Sequence, residues 1–384
     1  MTTEFRQHWG LDPAVEFLNH GSFGACPTAV LKAQTLLREE MELEPMEFFT
    51  RTLLGRLNGA RDAVAEFVGA DAEGLVFVPN ASTGVNAVLR SLRFEPGDEI
   101  LATDVTYCRK AVDFVADRSG ARVVVADLPF PVSGDDEIVE AVLVKITTRT
   151  RIVLLDHVTS TTSVILPIAR LVGEIQSRGI DVLVDGAHAP GMIPLSLSKI
   201  GAAYYTGNAH KWLCAPKGAA FLHVRRDRHA GLHPTVISHG YGRGLHPEFN
   251  WTGTCDPTAS LCVPEAIAYV GGLLPGGWQE IMARNRALAL EARTLALKAL
   301  GSKIPCPDSM VGSMASVPLP AFDEGAMARI GTDLRTWFRE RGVSTWFSPE
   351  PPYILRISAH LYNDIEQFKK LADLLSELFR PAGA

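Results

Sequence analysis

Short apolar runs alternate with amphipathic stretches through the first 225 positions of the chain. The runs fall at 75–79, 99–103, 122–126, 151–155, 180–184, 202–205 and 218–224. Each is bounded by Gly, Pro or polar residues, as strands buried on both faces are. Helical spacing separates the first five: a segment to about 92, one at 109–118, one after a polar stretch, and one at 167–178. The last opens on Pro167 and closes on Gly179, the expected asymmetry of helix ends. Ahead of the first run, Val30, Leu31, Ala33, Leu36 and Leu37 predict a helix over 28–44, broken by Pro45. A second helix is predicted over 53–69, with Arg51, Arg56 and Arg61 on or near its polar face. Residues 1–25 read as an arm or short helix and a turn, with 17–27 as a loop.

The rhythm changes after 225. Residues 226–260 are rich in Gly, His and Pro and predict a long functional loop. Beyond them come helices at 264–273 and 277–300, a strand at 311–318, a helix at 324–341, a strand at 353–358 and a helix at 363–379. The pattern predicts an α/β protein: a seven-stranded, mostly parallel sheet in a three-layer large domain, and a smaller C-terminal α/β domain. The expected divisions are an N-terminal segment 1–25, a large domain 26–260 and a small domain 261–384.

Composition narrows the function. The chain has 384 residues and a net charge of −6, with no basic stripe for nucleic acid. No apolar run approaches the roughly 18 residues of a membrane span, and the polar N-terminus lacks a signal-peptide core. The six cysteines, at 26, 108, 214, 255, 262 and 306, form no CxxC and no Cys/His metal spacing. Reduced thiols in a cytoplasmic enzyme, with no metal site, are expected.

The chemistry concentrates at strand ends. Ile180-Asp-Val-Leu-Val-Asp185 ends in a carboxylate at the edge where open parallel sheets bind ligands. Twenty-six residues on, Thr206-Gly-Asn-Ala-His-Lys-Trp-Leu-Cys-Ala-Pro-Lys-Gly218 carries Lys211 in partly apolar surroundings that favour the neutral amine. An Asp on a buried strand followed by such a lysine suits pyridoxal phosphate (PLP). The lysine makes the Schiff base and Asp185 pairs with the pyridinium nitrogen. Lys217 is an equal rival by proximity alone. Asn80-Ala-Ser-Thr-Gly84, between a strand and a helix, offers N–H groups and hydroxyls to a phosphate. Ser238-His-Gly-Tyr-Gly-Arg-Gly244 opens no helix after a strand, so a dinucleotide loop is rejected. Hydroxyls in Asp156-His-Val-Thr-Ser-Thr-Thr-Ser163 could reach a cofactor edge. Arg356, in a strand of the small domain, is placed to grip an α-carboxylate.

Five motifs in order resemble class V aminotransferases: Asn80-Ala-Ser-Thr83, Asp185-Gly-Ala-His188, Gly207-Asn-Ala-His-Lys211, Trp251-Thr-Gly-Thr-Cys-Asp-Pro257 and Leu355-Arg-Ile-Ser-Ala-His-Leu-Tyr-Asn363. With Phe17-Leu-Asn-His-Gly-Ser-Phe-Gly24, they most resemble the branch of isopenicillin N epimerases and C–S lyases. The resemblance runs from about 12 to 370. It implies a fold-type-I PLP enzyme acting on an amino acid, usually a homodimer with shared active sites. It also implies Lys211 as the Schiff-base lysine and Asp185 as the pyridinium partner. His188 would meet the phenolic oxygen with Ser160 nearby, and Tyr107 would stack on the ring. Ala81, Ser82, Thr83, Asn208 and His210 would hold the phosphate, and Thr254 would reach the neighbouring subunit's phosphate. Arg356 would bind the substrate carboxylate, with Asn19 and His20 lining the pocket. Cysteine desulfurases carry a nucleophilic Cys shortly before the arginine; residues 342–352 have none, which disfavours persulfide chemistry. Epimerisation at Cα and β-elimination of a C–S bond both begin with Lys211 removing the Cα proton.

Overall fold

A computed structural model describes residues 4–331 and 333–380. Its twelve strands are β1 (Glu16–Phe17), β2 (Leu75–Val78), β3 (Glu99–Thr103), β4 (Arg122–Ala126), β5 (Thr150–Asp156), β6 (Asp181–Asp185), β7 (Tyr204–Asn208), β8 (Ala220–Val224), β9 (Met314–Pro318), β10 (Val343–Ser344), β11 (Trp346–Phe347) and β12 (Ile354–Ser358). Seven of them form the large sheet in the order β2-β8-β7-β6-β5-β3-β4. The ladders from β4 through β3, β5 and β6 to β7 are parallel; β8 runs antiparallel to both β7 and β2.

The period of two along β5 explains the layering. Val153 and Leu155 face a core shared with Val64, Val68, Leu171 and Val263. Ile152 and Leu154 face the opposite core with Val85, Val88 and Val112. Both faces are therefore covered, which is why these strands read as continuous apolar runs rather than alternating ones. The fold is α/β, with helices on both faces of a mostly parallel sheet.

Beyond the large sheet, β11, β12 and β9 form a three-stranded antiparallel sheet. Helices Gly277–Leu300 and Ile365–Leu378 cover it, burying Ala289, Ala292, Leu355, Ile357, Phe368 and Leu371 together. β1 pairs in parallel with β10, Glu16 opposite Val343, so the start of the chain is tied to its last third.

Several local expectations shift. The helix Thr28–Leu43 ends before Pro45 as expected, but Pro45 also opens a new turn, Pro45–Glu47, that leads through a π-turn at Phe48–Thr52 into the helix Leu53–Val68. A first-turn proline lacks only an N–H that would be unpaired anyway. Arg61 is buried rather than on the polar face, donating to Asn58 and Asn250 at 2.9 and 3.0 Å. The expected helix 324–341 is two, Glu324–Ile330 and Leu334–Glu340, parted at Gly331 with φ +72°. The expected long loop contains helices Leu245–Asn250 and Thr258–Leu261. The 17–27 loop contains the short helix His20–Phe23. No helix among the described residues is long and apolar enough to cross a membrane.

Candidate active site

Parallel strands deliver their last residues to one edge, and three polar side chains arrive there: Asp156 from β5, Asp185 from β6 and Asn208 from β7. A cavity of about 1050 Å³ opens over them. Asn19, Ala81, Ser82, Tyr107, Asp156, Ser160, Asp185, His188, Asn208, His210, Lys211 and Arg356 all line it. Residues from 19 to 356 thus meet around a single space.

Asp185 is buried; its Oδ1 accepts the Ala187 N–H at 3.0 Å and its Oδ2 faces the Cys108 thiol at 3.5 Å. Burial raises its pKa from the ordinary value. Lys211 Nζ lies 3.1 Å from His188 Nε2. Burial, then the Arg356 charge, lower its pKa to about 8. His188 is buried and held neutral by burial and by Lys211. With Lys211 donating, Nε2 accepts and the proton sits on Nδ1, which has no partner. Lys217, the rival lysine, donates to Gly24 O at 2.9 Å and does not line the cavity. The structure therefore separates two lysines that proximity in sequence left equal.

The helix Ala81–Ser91 begins at the cavity floor. Asn80 caps it, accepting the Thr83 N–H at 2.8 Å, and Asn208 Oδ1 takes the Ala81 N–H at 2.8 Å. His210 Nδ1–H bonds the Ala219 carbonyl at 2.9 Å, and burial lowers its pKa to about 4. Its Nε2 is thereby an acceptor at neutral pH.

Arg356 is buried without a carboxylate among the described residues. Nη1 donates to Ser160 O at 2.7 Å and Ser160 Oγ at 3.2 Å; Nη2 donates to Ser22 Oγ at 2.6 Å and Asn19 Oδ1 at 3.4 Å. Nε has no partner. The Trp346 ring centre lies 4.8 Å from the guanidinium carbon. Burial pulls the pKa down to about 10.

Three expected site residues stand away from the lining. His20 is fully buried beneath the lysine loop, its Nδ1 bonded to Tyr362 Oη at 2.7 Å and its Nε2 to Lys211 O at 3.0 Å. The same fold brings it beside Cys214 and His360, a trio the linear spacing hid. Thr83 spends its hydroxyl on Asn80 Oδ1 at 3.1 Å. Thr254 is exposed on the surface of this chain. Ser160 lines the cavity and accepts from Arg356 Nη1 through both its carbonyl oxygen and Oγ. Three residues outside the expected set also serve the site: Ser22, Trp346 and Asp156. Only Asp156 left a signal, as a carboxylate ending an apolar run just as Asp185 does.

For the expected PLP, the donor set fits. Asp185 is a buried acid that gains from an adjacent cation, His188 Nδ1 is a donor without a partner, and Ser82 and the helix start offer a phosphate seat.

The Aminotransferase class-V family profile matches residues 44–270. The chain is 36% identical to isopenicillin N epimerase of Streptomyces clavuligerus, over 98% of both chains. It is 29% identical to an L-cysteine desulfhydrase of Arabidopsis thaliana, over 98% of this chain and 90% of that one. Among solved structures, the cystine C–S lyase C-DES in complex with cysteine persulfide superposes with a TM-score of 0.79. It is 22% identical, covering 94% of this chain and 97% of that one.

Proposed function

The chain belongs to the class-V aminotransferase family and is an enzyme with PLP as its cofactor; we propose that it removes the Cα proton of an amino acid and returns it on the opposite face, as an epimerase. One observation carries the reading: Lys211 Nζ, the Asp185 carboxylate and an Arg356 guanidinium with no carboxylate partner among the described residues open into one cavity.

PLP, when bound, supplies an electron sink that makes the Cα–H of an amino acid acidic. Lys211 accepts that proton at Nζ, and its return on the opposite face takes a second acid or Lys211 itself in a second orientation. With a pKa near 8, an appreciable fraction is the free amine at neutral pH, as a general base requires. Neutral His188 holds Nζ in position through Nε2. Asp185 keeps a proton on the pyridine nitrogen, which offsets the cost of its own burial. Arg356 binds the α-carboxylate, its partnerless Nε–H among the donors available, and Trp346 covers one face of the guanidinium. Asn19 lines the substrate side, with Ser160 and Ser22 orienting Arg356. Ala81, Ser82 and Asn208 would seat the phosphate, and Tyr107 would lie on the ring's side of the cavity. His210 adds Nε2; a phosphate dianion beside it would raise its low pKa and protonate it. In a homodimer, exposed Thr254 reaches the partner's phosphate.

Epimerisation of a substrate with a bulky side chain is supported by the epimerase relative and by the cavity wall. Phe322, Met327, Ile330, Leu334 and Tyr353 form an apolar side that a cysteine-sized substrate would leave empty. The second reading, β-elimination of a C–S bond, is supported by the desulfhydrase relative. No cysteine stands among the described lining residues, so persulfide formation lacks its nucleophile.

Incubation with amino acids and cysteine S-conjugates in deuterated water tests both. Deuterium at Cα with loss of chirality supports epimerisation; pyruvate with a released thiol supports elimination. A folded Lys211→Ala protein that still exchanges the Cα proton at the wild-type rate would refute Lys211 as the base.

A further inference from the structure

Asp156 ends β5 as Asp185 ends β6, and the two are direct partners in the parallel register. In-register residues of adjacent strands project from the same face about 4.8 Å apart. Both side chains are buried, and both line the cavity. Neither forms an ion pair with Arg or Lys among the described residues. Two carboxylates in so dry a place do not both ionise.

The surroundings choose which one keeps the charge. Asp185 accepts a backbone N–H and faces the Cys108 thiol, and the Lys211 ammonium lowers its pKa. Asp156 has two threonines and its own backbone N–H. Thr106 Oγ1 donates to its Oδ2 at 2.7 Å, Thr103 Oγ1 lies 3.4 Å from the same oxygen, and the two hydroxyls bond each other at 2.9 Å. Both hydroxyls converge on Oδ2, which leaves Oδ1 for a proton. The charged and titratable groups acting on Asp156 are Asp185, Cys108 and Lys211. Burial, then the Asp185 charge, lift Asp156 to about 8.

We propose that Asp156 is held as a neutral carboxylic acid beside ionised Asp185, a positioning residue that keeps a single negative charge at the strand ends beneath the cofactor. This rests on the reading of Asp185 as the pyridine partner. Ionisation of Asp156 on the alkaline side would put a second charge there and hold the protons of the pyridine nitrogen and of Lys211 more tightly.

The proton itself is measurable without catalysis. Asp156→Asn keeps an acceptor for Thr106 and cannot ionise. In infrared difference spectra of the apoprotein against D156N, a protonated-carboxyl C=O band is expected at pH 6.5 and is lost above about pH 9. Stability gives a second readout. The folded pKa is raised above the ordinary value of about 3.9. The acid's stabilising contribution is therefore complete below pH 4 and lost as pH rises through about 8. Wild-type apoprotein should lose stability relative to D156N between about pH 5 and 8, with the difference level above that. In the holoprotein, an alkaline change in the visible spectrum near pH 8 should vanish in D156N. If D156N fails to fold, Asp185→Asn serves: deleting the neighbouring charge must move loss of the band to lower pH. Absence of the band, parallel stability profiles, or an unmoved midpoint in D185N would overturn the proposal. Wild-type protein that shows the band but takes up no PLP would sink the cofactor reading and leave the protonated pair standing.

Discussion

Lys211 is a costly residue to bury. Its pKa falls from the ordinary value of 10.5 to about 8, so without cofactor the fold must either desolvate an ammonium or release its proton. The unfolded chain then binds more protons than the fold between about pH 8 and 10, and stability rises with pH across that window. Lys211→Met, of similar length and uncharged, should make the apoprotein more stable than wild type at pH 7 by on the order of 1–3 kcal/mol. The advantage should shrink as pH climbs from 8 toward 10. Urea unfolding of both apoproteins across that range checks it, and a wild type more stable than K211M at pH 7 would contradict the burial cost. Some of this site was legible in the sequence. Asp185, Lys211, Asn208 and Arg356 line one cavity: Asp185 and Asn208 end strands, which fixes their position and direction, while Lys211 lies in the loop after β7 and Arg356 at the centre of β12. Trp346 and Ser22 were not legible, since their use depends on the fold bringing residues 22, 160, 346 and 356 around one guanidinium. His20 sits beside the expected pocket in sequence but beneath the lysine loop in space.

Elements explain how that loop is held. The short helix His20–Phe23 ends at Gly24, which has φ +71°. A Cβ there would run into the His210 carbonyl oxygen and come within 3.0 Å of the Lys211 Cα. Glycine is required on both counts: left-handed backbone and close approach. Gly24→Ala should cost about 1–3 kcal/mol and displace the lysine loop. The expected result is a lowered thermal midpoint together with weaker PLP binding, read from the visible absorption of the bound cofactor. Normal PLP uptake in G24A would show that the loop does not depend on this contact. Among the larger elements, the runs at 99–103, 122–126 and 180–184 are strands at nearly those bounds, because residues apolar on both faces leave little alternative. The reversal of β8 was hidden: an apolar run has no arrow, and direction comes from the short connection after β7. The break at Gly331 was hidden too, since one glycine within a helical pattern is often tolerated.

On the scale of the molecule, the cavity is rimmed by large side chains that this chain alone does not cover. Phe23 and Tyr107 are 70% and 75% exposed, though both line the cavity. Exposed aromatics around a binding site mark a surface that meets a partner. We propose that a second copy covers them, which would also bring Thr254 to the neighbouring site. Light scattering should return about twice the chain mass of 41.7 kDa for PLP-loaded protein. A monomer that binds PLP and turns over at full rate would exclude a shared site. The two-residue pairing of β1 with β10, and the bond from His20 to Tyr362 across 342 positions, also set a schedule for the newborn chain. At roughly 5–20 residues per second, the ribosome needs on the order of 17–70 s to deliver the partners that His20 requires. Until then the seat of the lysine loop stays unfinished and its apolar groups stay open to chaperones. Cofactor capture during synthesis must therefore wait until Tyr362 has emerged.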